Sequence, residues 1–272
     1  MLAKMNTQHF PTLFRSTFSI IACVASLGVA SQLQAQTVIT TAAGDGADTA
    51  GIRTSGTTNF GASTTFSVRG NGTSDDKMGY LRFDLGSVNP AGITAPSLKF
   101  VAAGSITASF TLWGLVNGTN ADALSTSGGW SETGLTYSNA SGRSGSSTMA
   151  TSSGAQAGTP TAYAVQIGTF SLTGLTIGTS FTLGTALTNA TQSVDLGANL
   201  LSFLQADTNH VVSFVLTSST NTTSSFYSKE FSSAINAPAL SFTPIPEPST
   251  YALVAGGMIM GVALLRRRRT QS

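Results

Sequence analysis

The chain has 272 residues, of which only 9% are charged, with 13 Lys+Arg, 11 Asp+Glu and a single cysteine. Lys4, Arg15 and Arg266–Arg269 hold six of the basic residues at the two ends, and Glu247 one of the acidic. The stretch between keeps 7 basic against 10 acidic residues, too acidic for a nucleic-acid-binding face, and its lack of cysteine excludes a disulfide framework. Taken in chain order, residues 1–35 read as a secretory signal peptide. Cations at Lys4 and Arg15 precede an apolar stretch from about Phe18 to Ala30, and small residues end at Ala35, before Gln36. A cut after Ala30 is the alternative, because Leu33 is a poor residue three positions before the first cut. Cys23 stands in "IIAC", a loose likeness of a lipoprotein processing box. Too few apolar residues separate it from Arg15, so it reads as part of the signal core.

Residues 36–243 are long enough for one large domain with its own core. The abundance of Ser, Thr, Gly and Asn would suit a linker, but period-two patterns recur with turn signals between them. "TTFSVRG", "KMGYLRFDL", "SLKFVAA", "SFTLWGLV", "AYAVQIGTF", "SFTL", "HVVSFVLTS", "SFYSKE" and "PALSF" all read as strands. In "SFTLWGLV" the apolar phase changes between Leu112 and Trp113, which suggests a bulge. "VDLGANLLSFLQAD" alone spaces its leucines as a helix does, predicting one from Leu196 to Gln205. Residues 138–160 are nearly all Ser, Gly, Ala and Thr and read as a long loop inside the domain. The fold class is therefore all-β with one short helix.

Few side chains in this body suit catalysis. His210, beside Asn209, is its only histidine and reads as a turn or strand-edge residue. A Ser/His/Asp triad would need His210 oriented by a carboxylate, and no nucleophile elbow is present. Glu132 and Glu230 would be the pair for glycoside hydrolysis, but a structural role is preferred: a turn cap for Glu132, and for Glu230 the satisfaction of a buried arginine such as Arg82 or of a backbone group. No catalytic residue is assigned and no enzyme is expected. Trp113, Trp130, Tyr137 and Tyr163 could stack on sugar rings. The tryptophans read as core, which leaves Tyr137 and Tyr163 as the carbohydrate-binding candidates. Asp45, Asp48, Asp75 and Asp76 lie in Gly/Ser-rich loops of the kind that hold Ca²⁺, but their spacing fits no EF-hand. Solvated turn residues are the default there, and no cofactor is expected.

The tail, residues 244–272, has three parts in order: Pro246-Glu247-Pro248-Ser249, an uncharged apolar run from Tyr251 to Leu265, and Arg266, Arg267, Arg268 and Arg269. As a helix the run would span roughly 22 Å, short for a hydrocarbon core of about 30 Å, with flanking residues and snorkelling arginines adding length. Four adjacent cations belong at the cytoplasmic interface, which places the preceding chain outside. The two prolines keep Glu247 in extended backbone that an active site can reach.

This tail, together with the signal peptide, resembles the PEP-CTERM sorting system of Gram-negative bacteria. The resemblance implies export through the Sec translocon, a transient inner-membrane anchor, and removal of the helix near the motif by an exosortase, in a host that makes exopolysaccharide. The body resembles the DNRLRE family, which includes the family 96 carbohydrate-binding modules. "NFGASTTFSVRG", "GYLRFDLGSV", "ITAPSLKFVAAG", "FTLWGLV", "GWSETGLTYSNAS", "VDLGANLLSFLQAD", "VSFVLTSS", "FYSKE" and "APALSFT" carry the likeness in the family's order. It implies a jelly-roll β-sandwich and an extracellular, glycan-binding role. The expectation is an exported surface or matrix protein with carbohydrate-binding capacity, tied to exopolysaccharide or biofilm. A structural matrix protein without a ligand is the alternative.

Overall fold

The computed structural model describes residues 37–40, 47–52, 59–70, 76–116, 135, 164–245, 256–261 and 267. The signal peptide and the 138–160 loop lie outside these residues. Strand formation follows the period-two pattern. In β4 (Lys77–Asp84), Leu81 and Phe83 point into one large core, while Met78 and Tyr80 point to the opposite face. In β5 (Ile93–Val101) Leu98 and Phe100 are buried in the same core, as are Phe110 and Leu112 of β6 (Ile106–Leu115).

Two sheets share that core. One orders β1 (Thr37–Thr40), β12 (Ala239–Pro244), β5 and β8 (Ser180–Gly184). The other orders β2 (Ala47–Ile52), β4, β10 (Val211–Ser218), β6, β7 (Ala164–Leu175) and β9 (Thr191–Gln192). Every pairing is antiparallel. Phe170 of the six-stranded sheet lies 5.9 Å from Phe181 of the four-stranded sheet, centroid to centroid, so the two inner faces interdigitate. A two-stranded sheet of β3 (Thr65–Val68) and β11 (Ser224–Tyr227) adds Phe66, Val68 and Phe226 to the same core. Strands β1, β2 and β9 were not expected. They are short, two to six residues, and none alternates apolar with polar residues over its length, so pairing defines them.

Helix α1 (Leu196–Gln205) has the predicted bounds. Leu196, Leu200 and Leu204, four residues apart, form its buried stripe, and the helix packs on β5, β7 and β8. Burying each leucine contributes roughly 1.5–3 kcal/mol. Two side chains tie the helix to the strands: Asn199 Nδ2 donates to the Ile167 carbonyl at 2.9 Å, and Gln205 Nε2 to the Ile93 carbonyl at 2.9 Å.

Two expectations need correction. The phase change at Leu112/Trp113 is not a bulge in β6, which pairs with β10 in unbroken register from Phe110 to Gly114. The extra residue, Ile167, belongs to β7: Leu112 faces Gly168 and Trp113 faces Gln166. Trp113 and Leu115 look out of phase because both faces of this end of the sheet are apolar. The strand expected through "SFYSKE" stops at Tyr227. There the Ser228 hydroxyl donates to the Ser63 carbonyl at 2.6 Å and accepts from the Glu230 N–H at 3.2 Å, turning the chain.

Candidate functional site

The outward face of the six-stranded sheet has two parts. At one end Tyr80, Val215 and Trp113 stand side by side in register across β4, β10 and β6. With Met78, Leu115, Ala164 and Leu135 they form a second apolar cluster. Leu135 is 3% exposed, and its carbonyl accepts from Asn59 Nδ2 at 2.6 Å. Leu135 therefore covers this face, and it sits in the middle of "WSETGLTYSN", the segment that supplied Trp130, Glu132 and Tyr137. Trp113 is half-buried beside the cluster. Its Nε1–H donates to Thr217 Oγ1 at 2.9 Å, which fixes the indole as part of the packing.

Beyond this patch the face carries hydroxyls. Thr111 lies opposite Thr169 and Ser109 opposite Ser171, the last two sharing a hydroxyl–hydroxyl bond at 2.8 Å. Ser171 in turn faces Thr191. A hydroxyl donates and accepts at once, so such rows suit sugar hydroxyls or water and select no charge.

The individual candidates fall as follows. Tyr137 and Tyr163 lie outside the described residues, as do Trp130, Glu132, Asp45 and Asp75. Asp48 is placed by its backbone in β2, opposite Leu81. Asp76 is fully buried at the head of β4, not in a solvated turn. His210 precedes β10 at φ +62°, a turn residue as expected, with Nδ1 3.1 Å from the Val88 carbonyl. The Glu230 carboxylate sits 3.0 Å from Lys229 Nζ. Among the described residues no group of His, Cys, Asp or Glu is arranged to hold a metal ion.

Of the tail, Pro246, Glu247, Pro248, Ser249, Arg266, Arg268 and Arg269 lie outside the described residues. Residues 256–261 are helical, with Met258, Ile259 and Met260 exposed, and Arg267 is helical and exposed. No helix among the described residues is long and apolar enough to cross a membrane. Upstream, the fold holds the chain as far as Ile245, whose N–H donates to the Gly92 carbonyl at 2.7 Å. The Pro-Glu-Pro motif starts at the next residue.

Comparison with known families agrees with both resemblances. Residues 45–164 match carbohydrate-binding module family 96, and residues 244–269 match the PEP-CTERM protein-sorting motif. No curated protein matches the chain. The chain is thus similar to a family 96 module over residues 45–164 and to a PEP-CTERM sorting motif over residues 244–269. The module match ends at the first residue of β7, whereas both sheets are completed by strands beyond it.

Proposed function

We propose that this protein is exported, held briefly in the inner membrane by residues 251–265, cut by an exosortase near Pro246–Ser249, and released as a surface or matrix protein that binds polysaccharide. The observation that carries this reading is the presence of both matches in one chain, a sorting motif beside a carbohydrate-binding module. The strand order supports it. The first strand lies beside the last, and the path passes repeatedly between the two sheets, as in a jelly-roll sandwich. The mature domain would then run from Gln36 to about Thr243, need no cofactor, and leave one residue ahead of β1. Its link to exopolysaccharide or biofilm follows from the exosortase system.

Mass spectrometry of the protein from its host tests the sorting half. Wild-type cells should yield a form lacking Arg266–Arg269, and cells without the exosortase a form that keeps them. A tail still present in wild-type cells rules out processing.

The low charge of the chain, 9% of its residues, and the Ser/Gly-rich stretch 138–160 favour a second reading, a structural matrix protein with no specific ligand. Pull-down of the exported protein on the host's exopolysaccharide, beside a panel of plain glycans, separates the two. Saturable binding that resists added salt supports the module. No binding to any glycan, with cell cohesion still altered by deletion of the protein, supports the structural reading.

A further inference from the structure

Beyond the segment matched to the module, residues 171–191 build a concave feature of their own. A cleft of about 320 Å³ opens where the end of β7, the Thr176–Thr179 turn and β9 meet. Its origin is local. Strand β7 shifts register against β6 between Ile106 and Ala108, so that Thr173 and Gly174 oppose Thr107, whose Oγ1 accepts from the Gly174 N–H at 3.0 Å. Strand β9 pairs only with Phe170 and Ser171. To cover Thr173 it would have to extend back through Ala190 and Asn189. Instead Asn189 turns away at φ +52°, with its Nδ2 donating to the Ser180 carbonyl at 2.8 Å.

The walls are held before any ligand arrives. Thr176 and Thr179 share a hydroxyl bond at 3.0 Å, the Gly178 N–H donates to the Ala102 carbonyl at 2.8 Å, and Thr182 and Thr188 exchange two backbone bonds at 3.1 Å. A preformed cleft loses less affinity to ordering on binding. Its volume lies at the lower end of the range for small-ligand pockets, about 300–1,000 Å³. Ser171, Thr173, Thr176, Thr179 and Thr191 supply hydroxyls and Asn189 an amide, while Leu175 and Ala190 supply apolar surface. No lining residue is ionisable. Each hydroxyl can donate to or accept from a sugar hydroxyl. A uronate or sulfated sugar would lose hydration here without meeting a counter-charge.

We infer that this cleft binds a neutral glycan, one or two sugar units at a time, at a site separate from the residues 45–164 module. The ligand class rests on the glycan-binding reading above; the position rests on the cleft alone. Amide spectra of the ¹⁵N-labelled exported protein, titrated with maltohexaose, cellohexaose and an alginate oligosaccharide, test it. The expected result is saturable shifts at Gly174, Thr176, Asn189 and Thr191 with a neutral oligosaccharide and none there with alginate. Thr173→Glu and Thr191→Glu place a carboxylate at exposed positions, so the fold persists, which unchanged signals elsewhere will show. Each should weaken neutral binding by about tenfold or more. Shifts confined to residues 45–164 would leave the module reading intact and overturn the cleft. Unchanged affinity in both variants, or cleft shifts with alginate alone, would overturn it too. No shifts with any sugar would remove both readings.

Discussion

Replacing Phe226 with alanine should lower the stability of the domain by about 3–5 kcal/mol, a large share of the roughly 5–15 kcal/mol of a typical domain. Phe226 is fully buried in a strand of only four residues. Its ring lies 5.3 Å from Phe66 on β3, 5.7 Å from Phe110 on the six-stranded sheet, and 6.1 and 5.7 Å from Phe100 and Phe181 on the four-stranded sheet. One side chain therefore joins all three sheets, and its loss leaves a cavity bounded by four rings that belong to separate elements. Collapse around that cavity would have to move strands, so little relaxation offsets the loss. Urea denaturation of the exported protein measures the effect. Ile177→Ala, at a position 64% exposed, is the control and should shift stability by no more than about 0.5 kcal/mol. A loss under about 1 kcal/mol for Phe226→Ala would mean that the three sheets do not share this contact.

That role shows how far the sequence could be read. The strand in "SFYSKE" was visible because Phe226 stands among polar neighbours in a β pattern. Its position among four distant rings depends on pairings such as Phe226 with Phe66, which separate strands make and no local pattern encodes. Helix α1 was legible to the residue because three leucines at helical spacing leave only one face to bury. The faces of β4 and β6 were harder. Where Leu135 covers the outer side of the sheet, Met78, Tyr80, Trp113 and Leu115 are as apolar as the inward residues, and alternation loses its contrast. The sorting motif was legible because its three parts depend on order along the chain, not on folding. The hydroxyl cleft was not, since Ser and Thr are common everywhere. A register shift and a two-residue strand single out these few, and neither leaves a mark in composition.

The module match has a physical consequence as well. Residues 45–164 include β4, β5 and β6, yet β4 pairs with β10, β6 with β10 and β7, and β5 with β8 and β12. Each of these strands finds partners in the chain that follows the match. Phe170, Phe181, Phe214 and Phe242, all of the same core, come from that later chain too. The matched segment therefore cannot close its own hydrophobic core, and any binding face it presents depends on the strands up to Pro244. The last core strand, β12, ends at Pro244, so a cut within the Pro-Glu-Pro motif would leave every core strand in place.

The second large effect is expected at the pairing of β5 with β8. Gly184 ends β8 at φ +96°, opposite Ser97 of β5. A β-carbon built there would lie 2.5 Å from the Pro96 carbonyl oxygen and 3.1 Å from Leu200 Cδ2 of the helix. The carbonyl belongs to backbone inside a paired strand and cannot swing aside as a side-chain tip would. Gly184→Ala thus combines a backbone conformation that costs a non-glycine residue about 1–3 kcal/mol with overpacking that costs about 1–3 kcal/mol. The Gly184 N–H and carbonyl both bond the Gln192 side-chain amide, at 2.8 and 3.0 Å, so a shift of this residue also disturbs β9. The sum, about 2–6 kcal/mol, is large enough to unfold a marginal domain. Gly178→Ala separates the two causes. Gly178 has φ +80° but open space where the β-carbon would stand, so it should lose only the conformational part. Urea midpoints of the two variants, taken with the same m-value, give the steric share by difference. Equal losses at both positions would show that β8 and the helix do not approach β5 as closely as this geometry requires.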